Sequence, residues 1–220
     1  MRLGSYYRSV LAPYLGLKPT GCRVLEVGAA DAQLLQRLSP ARGVALDVSS
    51  GDAGKAPFVL GDGTRAPFRS GCFDTVYALD VLEHVAEDAA LMRELLRVTK
   101  PGGVLWISVP SKDYAAFPPF LTSFLHRKWG HLRPGYRLQT LLALVPQGVE
   151  VTVLEWNEPF YRLAYAPLWA LSRVLPGAAR SALRLVAWLD HAFCSGHRGH
   201  YFLRLSIPGA CLPGRQAPGG

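Results

Sequence analysis

The amino-acid sequence predicts an α/β fold, a doubly wound and largely parallel sheet with helices on both faces. Three observations carry that prediction. Strand-length apolar runs alternate with segments of helical periodicity through the first half of the chain. Val104-Leu105-Trp106-Ile107-Ser108-Val109 is almost continuously apolar, as a strand buried on both faces must be. Finally, Val24-Leu25-Glu26-Val27 runs into Gly28 and a string of small residues, after which Leu34, Leu35 and Leu38 recur at helical spacing. That strand, turn and helix would lie at the carboxyl edge of a sheet, where glycine lets backbone approach a ligand and the helix offers free N–H groups.

The chain of 220 residues, half of them apolar, fits one domain over residues 1–208, with a Pro- and Gly-rich tail at 209–220 expected to be disordered. The net charge of +8 is uneven: residues 1–99 carry 11 basic and 11 acidic side chains, residues 100–220 carry 13 and 5. A basic surface suits nucleic acid, anionic lipid or a phosphorylated substrate, and charge alone does not choose among them. Cys22, Cys72, Cys194 and Cys211 form no C-x-x-C pair and no disulfide-like spacing, so they read as reduced thiols of a cytoplasmic protein. No secretory signal is expected at the N-terminus, nor is any apolar run long enough to span a membrane.

In chain order, residues 5–16 predict a short helix interrupted at Pro13. The first strand is expected at 23–27, a helix at 31–39, a second strand at 44–48 and a short third at 58–60. Phe73 to Leu79 predicts a buried fourth strand, leading through Asp80-Val81-Leu82-Glu83-His84-Val85 into a helix with Ala89, Leu91, Leu95, Leu96 and Val98 on one face. Lys100-Pro101-Gly102-Gly103 is expected to stop that helix before the fifth strand. Asp47 lies 21 residues after Glu26, the spacing at which an acid closing the second strand sits beside the ribose of a nucleotide held at the first turn.

Taken in order, VLEVGAADA, ALDVSS, GDGTRAPFRSGCFDTVYALDVLEHV and LLRVTKPGGVLWISVPS resemble the class I S-adenosylmethionine-dependent methyltransferases, over residues 22–111. The resemblance implies a Rossmann-like, seven-stranded mixed sheet with the last strand inserted antiparallel, binding S-adenosyl-L-methionine across strands one, two and four. It also implies that Glu26, Gly28 and Ala30 form the cofactor turn, and that Asp47 with Val48 binds the ribose. Asp62 would receive the adenine amino group between Gly61 and Gly63, and Asp80 and Val81 would border the methionine end. The family turn is E-x-G-x-G-x-G. Here Ala30 and Ala32 replace its second and third glycines, a modest change at negative φ and a costly one at positive φ.

Methyl transfer from a sulfonium is an in-line displacement, so an oxygen acceptor needs chiefly orientation and a base. His84, after the fourth strand, and His131 are the candidate catalytic residues. His131 lies in a stretch, His131-Leu132-Arg133-Pro134-Gly135-Tyr136, that looks like the H-x-R-x-F/Y segment of related methyltransferases. For each histidine a structural role is the alternative, in His84 a hydrogen bond at a helix start. Asp80-x-x-Glu83-His84 also resembles the E-x-x-E-H metal motif of certain O-methyltransferases, with His131 as a further ligand; the same string occurs in relatives without metal, and no metal is expected here. The N-P-P-Y/F tetrapeptide that related nucleic-acid amino methyltransferases place after strand four is missing, so nucleic acid is not an expected partner.

In the second half, 114–128 predicts a helix or lid, 137–145 a helix, and 148–156 and 200–207 the last two strands. Between those strands, 159–194 forms a helical insertion split at Pro176-Gly177, carrying aromatics with Arg162, Arg173, Arg180 and Arg184. A lid or homodimer face, its aromatics in the core, is favoured slightly over peripheral membrane contact. The function expected is O-methylation of a small or lipid- or glycan-linked acceptor, with a catalytically inactive, cofactor-binding protein as the alternative.

Overall fold

The computed structural model describes residues 3–49, 51, 54, 56–112, 130–194 and 199–209. The expected lid at 114–128 and the tail fall outside them, as do Cys211 and the side chain of Cys194. Seven strands form one sheet: β1 (Arg23–Val27), β2 (Arg42–Asp47), β3 (Phe58–Leu60), β4 (Phe73–Leu79), β5 (Thr99–Pro110), β6 (Glu150–Trp156) and β7 (His200–Ser206). Their spatial order is β3-β2-β1-β4-β5-β7-β6. The first five are parallel, and β7 inserts antiparallel between β5 and β6. Strand order therefore reverses between β1 and β4, and the crevice above their carboxyl ends is where an open α/β sheet binds its ligand.

Alternation along the strands builds two apolar layers. Val24, Tyr77, Val104, Trp106 and Phe202 face one layer, beneath α1 (Leu3–Leu11), α2 (Gln33–Leu38) and two later helices. Leu25, Val76, Ala78, Leu105, Ile107 and Leu203 face the other, beneath α3 (Asp88–Val98) and α4 (Leu138–Leu142). The later helices are α5 (Pro159–Val174) and α6 (Pro176–Cys194), which form the connection between the antiparallel neighbours β6 and β7.

Three local departures have physical causes. The first helix ends at Leu11, and Pro13 stands in the turn after it, so the proline terminates the helix and does not kink it. The Lys100-Pro101-Gly102-Gly103 cluster is absorbed into β5, which starts at Thr99; pairing jumps from Phe73↔Thr99 to Thr75↔Val104, and Gly102 takes φ +77 to make the bulge. Between β4 and α3 a single 3₁₀ turn, Leu82–His84, delays the helix to Asp88.

The N-terminus of α5 is capped from outside its own sequence. Asp190 of α6 accepts from the N–H groups of Phe160 at 3.0 Å and Tyr161 at 3.1 Å, and from the Tyr7 hydroxyl at 2.6 Å. Tyr7 stacks on Tyr161 with ring centroids 4.0 Å apart. One fully buried carboxylate thus ties α1, α5 and α6 together over the carboxyl edge of the sheet.

Candidate functional site

The first turn is built by β1 handing the chain to α2 across the end of β2. Gly28 N and Ala29 N donate to Leu46 O, and Ala30 N donates to Asp47 Oδ2 at 2.9 Å. Gly28 has φ +66, and a Cβ there would lie 2.5 Å from a methyl of Val81, so β4's exit packs onto bare backbone. Ala30 and Ala32 also have positive φ, +53 and +46. The two alanines occupy left-handed conformations that glycine adopts without strain.

Four carboxylates surround this turn. Glu26 is buried and accepts from Leu35 N at 3.1 Å, within the first turn of α2; burial pushes its carboxyl up to about 8, against the opposing pull of that N–H and Arg8. Asp47, closing β2, accepts from Ala30 N on one oxygen and from Ser49 N and Oγ on the other. Asp62, just past β3, accepts from Thr64 N at 2.8 Å, and that hydrogen bond lowers its carboxyl below the usual range.

Asp80, closing β4 at φ +53, accepts from Ser108 Oγ at 2.6 Å and pairs with Arg8 Nη1 at 2.6 Å. Burial raises its carboxyl, but Arg8, His200 and Ser108 together outweigh burial and hold it at about 2. His200, the first residue of β7, stands between two acids, with Nε2 3.8 Å from Asp80 and Nδ1 3.5 Å from Glu158.

One cavity of ≈ 1280 Å³ joins these elements. Of the residues nominated from sequence, Gly28, Ala30, Asp47, Val48, Gly61, Asp62, Gly63, Asp80, Val81, His84 and His131 line it, and Glu26 does not. Glu26 holds the start of α2 from behind the turn. Arg8, Tyr161, Glu158 and His200 also line the cavity and were not nominated. A topological signal does point to His200: an antiparallel final strand begins at the edge where its parallel neighbours end, and His200 pairs with Pro110 there.

His84 and His131 meet edge to face, ring centroids 4.6 Å apart. The segment bearing His131 is stapled beneath them. Leu132 N donates to Glu83 O at 2.9 Å, and the Arg133 guanidinium donates to Val85 O and Ala86 O and pairs with Asp88. His84 Nδ1 lies 3.1 Å from Gly130 O. A carbonyl only accepts, so in this hydrogen bond Nδ1 is the donor.

Glu83, His84 and His131 each bring one ligand-type atom within 4.8 Å of the others. Both oxygens of Glu83 are buried without a hydrogen-bond partner, and burial together with the Asp80 charge pushes its carboxyl well above the usual range. Asp80 is not part of this group, its oxygens being held by Arg8 and Ser108.

Residues 25–107 match the family model described as a methyltransferase domain. The chain is 37% identical over 132 residues to a demethylmenaquinone methyltransferase of Mycolicibacterium paratuberculosis, covering 56% of each chain. It is 39% identical over 109 residues to the protein of that name from Mycobacterium tuberculosis, covering 46% of each. The chain thus spans about half the length of these relatives. Among solved structures, phosphoethanolamine N-methyltransferase 2 of Haemonchus contortus in complex with S-adenosyl-L-methionine superposes with a TM-score of 0.62 at 15% identity, over 92% of this chain and 52% of that one. The cyclase SpnF superposes with a TM-score of 0.60 at 21% identity, over 92% and 81%.

Proposed function

We propose that this chain, a class I methyltransferase by its fold and by the match of residues 25–107, uses S-adenosyl-L-methionine to methylate an oxygen of an apolar, quinone- or lipid-class acceptor. The observation that carries this reading is the convergence of Asp47, Asp62 and Asp80, each at the carboxyl end of a different parallel strand, on one cavity of ≈ 1280 Å³. Pockets that hold one small ligand reach about 1,000 Å³. The extra volume supports a second occupant beside the cofactor. The name of the mycobacterial relatives supports a quinone-like acceptor.

The residues fit the chemical groups of S-adenosyl-L-methionine. Asp47 offers acceptor oxygens to ribose hydroxyls, and Asp62 offers them to the adenine amino group, with Gly61 and Gly63 leaving room beside it. Val48, exposed and on the cavity wall, provides apolar surface next to them. Gly28 and Ala30 pass backbone along the same wall, Asp80 and Val81 border the amino-acid end, and Arg8 adds a cation there for a carboxylate. Glu26 acts indirectly, by fixing α2.

When bound, this cofactor supplies a methyl group made electrophilic by the sulfonium. The chain's own share is orientation, exclusion of water beneath α1 and α5, and a site for the acceptor's proton. His84 and His131, which both line the cavity and whose rings meet edge to face, supply that site. Proton removal by imidazole needs no metal, so turnover is expected to be unchanged in excess chelator; loss of turnover there would assign a metal to Glu83, His84 and His131 instead. Replacing His84 or His131 by alanine is expected to lower kcat about 10²-fold or more with cofactor affinity intact.

The experiment is transfer of a labelled methyl group to a panel of apolar phenols and quinols, with NMR of the product. An O-methyl product supports the proposal. A C- or N-methyl product refutes the oxygen assignment. Cofactor binding with no transfer to any acceptor favours the inactive, cofactor-binding alternative, which the strained Ala30 and Ala32 motivate; the cyclase sharing this fold makes plain that fold does not fix chemistry.

A further inference from the structure

The α5–α6 hairpin presents an outer face of unusual composition. On α5 the exposed stripe is Leu163, Ala166, Pro167, Ala170 and Val174, at helical spacing and without a polar atom beyond the backbone; Leu163 is 77% and Val174 76% exposed. On α6, Leu185 and Trp188 are exposed within a turn or so of Arg184, with Arg180 one turn before it, and Phe193 is exposed at the far end of the helix near Phe160. Trp169 is 46% exposed under the Arg173 guanidinium, 4.8 Å from its ring centroid. The expectation that the insertion's aromatics belong to the core therefore holds for Tyr161 and fails for Trp169, Trp188 and Phe193.

Charge decides between occupants of this face. The only acid between Pro159 and Cys194 is Asp190, which is fully buried, so every charged group the exposed face offers is a guanidinium. A two-fold contact with a second copy would set the same arginines against one another with no acid to pair them. An anionic bilayer surface supplies the opposite charge, and arginines flanking exposed Trp, Phe and Leu suit its interface. Among the described residues no helix is long and apolar enough to cross a membrane. The cavity opens on this same face, since Leu163, Ala166, Trp169 and Arg173 are at once exposed and part of its lining.

We propose that the outer face of α5–α6 docks on an anionic lipid bilayer and that the cavity mouth beside Trp169 admits the acceptor from the membrane. The second half of this statement rests on the apolar acceptor proposed above; the first does not, and the test separates them.

The test is co-sedimentation of the full chain with phosphatidylglycerol vesicles and with phosphatidylcholine vesicles, at low and high salt. Each arginine near an anionic surface is worth about five-fold in partition. Binding is expected on phosphatidylglycerol and to weaken with salt, and Arg173→Glu/Arg180→Glu/Arg184→Glu is expected to lower partition about 100-fold or more. Trp188→Ser, a separate exposed change, is expected to weaken binding with the thermal midpoint unmoved. Absence of binding to phosphatidylglycerol overturns the proposal, as does equal binding by wild type and the triple variant. A dimer in analytical centrifugation that Trp188→Ser dissociates would overturn it in favour of a second copy. Because no cofactor is added, failure here leaves the methyltransferase reading standing, and failure of cofactor binding leaves this one standing.

Discussion

Ala30 and Ala32 carry backbone strain at the point where the cofactor is proposed to bind. A left-handed L-residue costs about 1–2 kcal/mol, partly offset when glycine replaces it because the unfolded chain gains freedom worth about 0.4–1 kcal/mol. Ala30→Gly and Ala32→Gly are each expected to raise stability by up to about 1 kcal/mol, read as a higher urea midpoint. Gly28→Ala is expected to do the reverse, since its new methyl has Val81 in its way. Glu26 gives a pH signature. Its folded pKa of about 8 lies above the ordinary 4.5, so its contribution is complete below pH 4.5 and is lost as pH rises through 8. Urea unfolding of wild type is expected to weaken over that window, by at most about 1.4 kcal/mol per pH unit from this residue, and Glu26→Gln is expected to flatten the slope. Asp47 is legible in sequence because it closes its own strand at a spacing set locally, and Asp62 only through the resemblance to the methyltransferase family. Arg8 and His200 are not, because their partner Asp80 is remote in the chain and only the folded sheet brings them to it.

At the level of elements, Asp190 and Arg133 do work that local sequence does not announce. Asp190→Ala would leave the buried Tyr7 hydroxyl and two helix N–H groups without their acceptor, and a lost acceptor costs about 1–3 kcal/mol per buried group. A loss of at least about 2 kcal/mol is expected in urea unfolding, with the Trp fluorescence of α5 and α6 as the probe. Arg133→Met is expected to free the segment carrying His131, lowering kcat and leaving cofactor affinity unchanged, because its partners Val85, Ala86 and Asp88 lie away from the turn after β1. The strands themselves were readable wherever burial on both faces leaves a continuous apolar run. The start of β5 is not legible, because proline and glycines end helices far more often than they form a bulge inside a strand.

For the whole molecule, the ligand edge is readable from sequence because each of the first-half acids Asp47, Asp62 and Asp80 follows a different strand, although the sheet order β3-β2-β1-β4 sets them around the cavity as Asp62, Asp47, Asp80 and not in chain order. The antiparallel place of β7 followed from the resemblance; hydropathy alone could not supply it. The surface of α5–α6 was legible in composition but not in orientation, since a sequence does not say which stripe of a hairpin its neighbours cover. The functional reading depends on one claim, that the crevice between β1 and β4 holds S-adenosyl-L-methionine. Isothermal titration of the intact chain with that compound, beside Asp47→Ala, tests it directly. Saturable one-to-one binding that weakens at least about ten-fold in Asp47→Ala is the expected result; no heat from the folded wild-type chain at millimolar ligand, or equal affinity in the two proteins, would contradict it.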